Sequence, residues 1–273
     1  MSSASPTRRA PVLTVYAALV FAFVYLPIVV LIAYSFNRDG VGGFPPRHLT
    51  LDWYRQLLAD GAIWDAVENS LLVAAGSVAL SLTLGLLAAL ALDRAAFPGK
   101  ALFRRLVLLP LILPGIITGL SLLMFAVFVG MPLSLFTVFL GHGTALISVA
   151  TTELFAGLQK MDRAQEEASL DLGATPWQTF WRVTLPNLKL SLIAAGLLIF
   201  TLSMDEIAVT FFLIGRDNTL PLEIWGRLRR GITPEINAVS TLIFAVSVAL
   251  IIIWYRVRTR GLGAGAQDLL ERP

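Results

Sequence analysis

Long apolar runs, rather than alternating patterns, organise this chain. Between Arg9 and Arg38 lie 28 residues without Asp, Glu, Lys or Arg. A second charge-free run covers 69–92, and a third, 106–152, continues for 47 residues. A helix needs about 20 apolar residues to cross the hydrocarbon core of a bilayer. The third run therefore holds two crossings, divided at Gly130, Met131 and Pro132. The pattern predicts six transmembrane helices, at about 11–35, 69–92, 106–129, 135–158, 190–214 and 237–255. The expected fold class is an all-α integral membrane protein. Barrel strands would alternate apolar and polar residues in segments of about ten, and these runs do not. The first run is too long for a signal peptide and lacks a small-residue cleavage site, so it reads as an anchor despite Arg8 and Arg9 before it.

Composition sharpens that picture. Only 14% of the 273 residues are charged, against about 25% in an ordinary soluble domain, and the mean hydropathy is +0.76. A soluble globule and a disordered chain are both excluded. The net charge of +3 reflects topology rather than nucleic-acid binding. With six spans, one side holds Arg8, Arg9, Arg94, Lys100, Arg104, Arg105, Lys160, Arg163, Arg182, Lys189, Arg256, Arg258, Arg260 and Arg272, which is 14 of the 21 basic residues. The other side has Arg38, Arg47, Arg55, Arg216, Arg227, Arg229 and Arg230. That bias places both termini in the cytoplasm. There are no cysteines and only two histidines, His48 and His142, so no metal site is expected.

Two loops carry patterns of their own. In the external segment 36–68, a turn at 40–46 precedes a short helix that Thr50 can cap. Trp53 and Trp64 suit the membrane interface, or a contact with substrate or an external partner. The external loop 216–236, with Pro221, Trp225 and four arginines, reads as a surface helix or hairpin. The cytoplasmic loop 160–189 reads as a helix–turn–helix. Asp162 can cap a first helix running to Leu172, which Gly173 stops. Thr175, Pro176 and Gln178 then open a second helix with a capping box. Trp177, Phe180, Trp181 and Leu185 recur on one face of it. An interfacial helix on the lipid is the plainer reading, but Asp162, Glu166, Glu167 and Asp171 would avoid an anionic leaflet and fit a protein partner better.

This loop resembles the EAA signature of permease subunits in binding-protein-dependent ABC importers. The pattern is Glu-Ala-Ala, three residues, Gly, nine residues, then Ile-x-Leu-Pro. Here it reads Glu167, Ala168, Ser169, then Gly173, then Val183, Thr184, Leu185 and Pro186. The resemblance extends over nearly the whole chain and narrows to the spermidine/putrescine permease subgroup, especially its C-type subunit, through residues 49–54, His142, 200–212 and 220–242. It implies a type I ABC importer permease fold with a cytoplasmic coupling helix. The implied layout is an anchor helix and periplasmic loop at 1–65, a transmembrane domain at 66–256 and a cytoplasmic tail at 257–273. Glu166, Glu167, Ala168, Ser169, Asp171, Leu172, Gly173, Leu185 and Pro186 would form the loop that couples to an ATPase. The implied partners are an ABC ATPase dimer, a second homologous permease and an external substrate-binding protein, in a bacterial inner membrane. ATP and Mg would be used by the ATPase chain; no G-x-x-x-x-G-K-[ST] loop occurs here, and no cofactor is expected on this chain. Two departures stand out. Gly115 occupies a position where the subgroup often has an acid, and Ser148 one where it often has Pro.

Asp205 and Glu206 lie about 16 residues into the fifth predicted span, where charge is costly. Either backbone N–H groups and the second permease satisfy them, or they form an anionic point in a path for a cation. Adjacent helical positions point about 100° apart, so one acid is expected to face the path. Asp205, which matches the first Asp of the subgroup's SMDD pattern, is the expected one. Trp53, Gly115 and Glu206 complete the candidate substrate path. Pro27, Pro110 and Pro114 are expected to bend their spans. Other solutes remain open: another small organic cation, an amino-acid derivative or an opine-like compound. An ion-coupled carrier would be expected to show repeated halves, and none is evident. A membrane enzyme would need a nucleophile, base or metal set that is missing here.

Overall fold

The computed structural model describes residues 10–39, 45–46, 48–231, 233–249 and 252. Arg8, Arg9, Arg47, Arg256, Arg258, Arg260 and Arg272, most of the predicted turn at 40–46, and the tail 257–273 lie outside them. The described chain is helical, in two compact units: residues 1–61 with 226–273, and residues 62–225.

The first unit is led by helix α1 (Ala10–Ser35), which remains continuous through Pro27. Val12, Leu19, Phe23 and Leu26 are all well exposed along it. Such a surface is tenable only where the solvent is lipid or a partner covers it. At its end, an isolated antiparallel bridge pairs Asn37 with Leu49 and leads into α2 (Asp52–Ala59). The Thr50 hydroxyl accepts from the Asp52 N–H at 3.1 Å, but the N-cap of α2 is Leu51, one position later than the sequence predicts. Asp60 receives a hydrogen bond from Arg227 at 2.6 Å. The loop 216–236 is largely a helix, α13 (Leu220–Arg230), which runs from the second unit into the first. Helix α14 (Pro234–Ala249) follows; the rest of the predicted last span lies outside the described residues, apart from Ile252.

The second unit contains α3 (Gly61–Arg94), α4 (Lys100–Leu108), a 3-10 turn (Leu109–Leu111), α5 (Gly115–Phe128), α6 (Leu135–Ala145) and α7 (Ile147–Lys160). After the polar pair α8 (Ala164–Asp171) and α9 (Pro176–Thr179), a π turn (Phe180–Thr184) and α10 (Leu185–Asn187) lead to α11 (Lys189–Met204) and α12 (Ala208–Leu213). Small residues bring these helices together: the Ser81 hydroxyl of α3 donates to the Gly143 carbonyl at 2.7 Å, and Gly85 leaves no room for a Cβ against Ala150. One buried cluster joins Ala89, Leu154, Leu158, Leu188 and Ala195. Another joins Val73, Val138, Val209 and Leu213.

The described residues give the predicted spans different bounds and shapes. Among the described residues, three continuous stretches, Val12–Ser35, Gly61–Arg94 and Leu135–Lys160, are long and apolar enough to cross a membrane, and two bent pairs raise the number to five. Residues 61–68, assigned to the external loop, are the first turns of α3. The predicted span at 106–129 is a bent pair, Lys100–Leu111 and Gly115–Phe128, meeting at 107°. Pro110 and Pro114 lack the N–H groups that would carry a helix through the corner. The predicted span at 190–214 begins as Pro176–Asn187, bends by 65° into Lys189–Met204, and then breaks at residues 205–207.

Candidate functional site

Asp205 and Glu206 therefore do not lie on a helix. Asp205 follows the last residue of α11 and α12 starts at Ala208, so the 100° argument does not apply to them. Glu206 is spoken for: its Oε1 accepts the Val209 N–H at 3.0 Å, capping α12. A Cβ built on Gly115 would lie 3.5 Å from the same oxygen, which puts the carboxylate beside the N-terminus of α5. Helix starts favour negative charge, so the cost of holding Glu206 at this depth is partly offset. The position where resembling sequences often carry an acid is thus approached by the acid of a neighbouring segment. Asp205 is exposed on the unit. Its side chain has no hydrogen bond or ion pair among the described residues.

His142 spans the break. It is buried on α6, with Nδ1 2.9 Å from the Ser203 hydroxyl and Nε2 2.9 Å from the Thr210 hydroxyl. Thr210 donates its one hydroxyl proton to the Glu206 carbonyl at 2.8 Å. Nε2 is therefore the donor to Thr210, and Nδ1 accepts from Ser203. One ring thereby joins the end of α11 to α12. The packing supports this arrangement, since Gly119 of α5 lies against Phe212 and the Ala208 carbonyl, and Gly141 against Leu213 and Val209. The partners of His142 lie more than 60 positions away and were not legible in the sequence.

Trp53 belongs to the first unit, and its indole is accounted for there. The ring N–H donates to the Asn37 carbonyl at 2.9 Å, and the neighbouring Tyr54 hydroxyl lies 2.7 Å from Ser35 Oγ. These bonds fasten α2 to the end of α1.

The loop 160–189 is the helix–turn–helix that its sequence predicts. The Asp162 carboxylate accepts the Ala164 N–H at 3.0 Å. Gly173, with φ +88°, closes α8: its N–H reaches the Leu170 carbonyl at 2.9 Å and that of Ala174 reaches Ser169 at 3.1 Å. Thr175 and Gln178 form the reciprocal capping box. The π turn shifts the register of the second helix, so Leu185 is out of phase with the cluster formed by Trp177, Phe180 and Trp181.

The signature residues divide into two sets. Glu166 turns inward to Arg94 at 2.5 Å and to the Thr184 hydroxyl. Ser169 Oγ meets Thr179 Oγ1 at 3.0 Å. Glu167, Ala168, Asp171 and Leu172 are exposed, as are Gly173 and Pro186, while Leu185 is half-buried. Sequence reasoning missed Asp93, whose nearly buried carboxylate receives Arg163 Nη2 on both oxygens at 3.1 and 3.2 Å and also Gln159 Nε2. Asp93 and Arg94 were visible as a charged pair ending an apolar run, without any sign of their partners.

Known proteins resemble this chain closely. Residues 81–262 match the family described as binding-protein-dependent transport system inner membrane component. The putrescine transport system permease protein PotI of Escherichia coli (strain K12) is 37% identical over 263 residues, covering 92% of each chain. The spermidine/putrescine transport system permease protein PotC of Haemophilus influenzae is 31% identical over 235 residues, covering 86% of this chain and 91% of that protein. Among solved structures, a bacterial ABC transporter involved in the import of the acidic polysaccharide alginate has a chain with a TM-score of 0.71 at 18% identity, covering 95% of this chain and 99% of its own. That likeness shows the fold alone. By family match and by relatives along most of its length, this chain belongs to the binding-protein-dependent transport system inner membrane components, the permeases of ABC importers.

Proposed function

We propose that this permease conducts polyamines of the spermidine/putrescine class across the inner membrane, with Asp205 as an anionic point on the route. The observation that carries the reading is the division between the two acids: Glu206 caps α12, whereas Asp205 is left exposed and unpaired. An unpaired carboxylate within an apolar span attracts a cation and repels anions. The names of PotI and PotC supply the class of cation. Gly115 favours a second reading, another small organic cation, because the subgroup's acid is absent from that position. The test is uptake of radiolabelled putrescine and spermidine by the whole importer carrying Asp205→Asn, against Glu206→Gln. Uptake unchanged by Asp205→Asn removes Asp205 from the route.

The power stroke belongs to other chains. In this reading an ABC ATPase dimer binds ATP and Mg and receives the exposed edge of α8, made of Glu167, Ala168, Asp171 and Leu172, while Gly173 provides the reversal behind it. The inward set transmits the push: Glu166 to Arg94 and Arg163 to Asp93 tie the loop to the end of α3. A second homologous permease completes the pore, and an external binding protein delivers the solute. Both termini face the cytoplasm, on the side of the charged loop. No cofactor is assigned to this chain.

A further inference from the structure

Helix α4 is a basic, amphipathic segment that the transport route and the coupling loop leave without a task. It is turned 107° from α5, so if α5 crosses the bilayer, α4 runs along its surface. None of its residues is buried. Leu102 and Leu106 form an exposed apolar edge. Beneath the helix is a cavity of about 800 Å³, lined among others by Lys100, Arg104, Arg105, Leu108, Ile112 and Phe155. No carboxylate lines it. The Arg104 guanidinium stands 5.9 Å from the centre of the Phe155 ring, and the Lys100 ammonium donates to the Ala95 carbonyl at 2.8 Å. Neither arginine has an acidic partner among the described residues.

We propose that this cavity binds an anionic phospholipid of the leaflet on the α8 side. Lys100 and Arg104 are four residues apart and share a face of α4, with Arg105 beside them. Together they present three cations to one phosphate. The remaining wall is apolar: Leu108, Ile112 and Phe155 continue from the charged rim toward the apolar α5, so a ligand with both a phosphodiester and an acyl chain meets matching surface along its length. A soluble phosphate would use only the rim, and an acidic protein segment would leave the apolar wall unmatched. The side is fixed by covalent continuity, because α4 follows the end of α3 that grips the loop 160–189. That side carries the positive excess, and the cytoplasmic leaflet it faces is the one rich in acidic lipids.

The test uses the whole importer, purified with its partner chains and offered micelles doped with dioleoyl phosphatidylglycerol or dioleoyl phosphatidylcholine. Native mass spectrometry counts the retained lipid. Phosphatidylglycerol is retained in preference, Arg104→Gln and Arg105→Gln each lower retention about five-fold, and Arg→Lys at the same positions holds it within about two-fold. Excess inorganic phosphate does not displace it. Equal retention of the two lipids, displacement by inorganic phosphate, or unchanged retention in the Gln variants overturns the proposal. A second measurement does not depend on those variants assembling. The chain has no cysteine, so in an importer whose partner chains have been made cysteine-free, Ala101→Cys provides a single labelling site on the cavity wall. A fluorophore there is quenched by nitroxide-labelled phosphatidylglycerol and not by nitroxide-labelled phosphatidylcholine. Equal quenching by both, or a crosslink from this position to another protein chain, overturns the assignment.

Discussion

The break at residues 205–207 and the polar loop 160–189 treat their charges in opposite ways. In the loop, Arg163 and Glu166 have partners on α3, and hydroxyl contacts such as Ser169 to Thr179 tighten the rest. At the break, one acid caps a helix and the other is left without a partner. Paired charges fix one geometry, so they suit a part that transmits force. An unpaired charge in an apolar span is costly and is retained where it has something to bind. The loop is built to be stiff and the break to be occupied.

Four experiments can break or sharpen that contrast. The largest effect is expected at Gly173, whose φ of +88° is closed to proline. Gly173→Pro should cut transport by roughly 100-fold, the equivalent of the ~3 kcal/mol that a misplaced proline costs, while ATP hydrolysis by the partner continues. Glu167→Lys, on the exposed edge, should uncouple the two activities in the same way without disturbing the fold. Normal transport by either variant would show that α8 is not the docking element. Next comes Asp205→Asn, with uptake reduced about ten-fold and assembly intact by copurification. Glu206→Gln should instead lower thermal stability and spare most uptake; the reverse ranking of the two acids would collapse the distinction drawn between them.

His142→Leu strands the Ser203 and Thr210 hydroxyls in the interior, at a cost of about 1–3 kcal/mol. The solubilised complex should unfold at lower temperature, and His142→Gln, which keeps a donor and an acceptor, should recover part of the loss. The smallest effect belongs to the pair Arg94 and Glu166. Arg94 is 37% exposed, so a double-mutant cycle with Arg94→Gln and Glu166→Gln should give a coupling of at most about 1 kcal/mol. A much larger value would mean that the loop owes its stiffness to this one contact.

What could be read in advance followed locality. Charge-free runs locate most of the long helices, because the cost of burying charge in lipid acts residue by residue. The closure of α8 at Gly173 and the capping box of Thr175 and Gln178 were also legible, since each spans only a few positions. The break at 205–207 was not. An acidic pair within an apolar run reads alike whether the helix continues or stops, and the stop depends on Glu206 finding the Val209 N–H and His142 holding both ends. The corner at Pro110 and Pro114 was foreseen as a bend, but its 107° depends on how α4 packs. The inward turn of Glu166 was hidden for the same reason, because Arg94 is 72 positions away in sequence.

The adjacent charges Asp93 and Arg94 have a consequence for register. They meet Arg163 and Glu166 in one pairing, acid to base and base to acid. Sliding α3 by one residue against the loop would bring Asp93 toward Glu166 or Arg94 toward Arg163, and like charges would repel. The contact thus behaves as a polarised plug that accepts its socket in one alignment. Register between α3 and the loop is thus marked by the order of two charges as well as by shape.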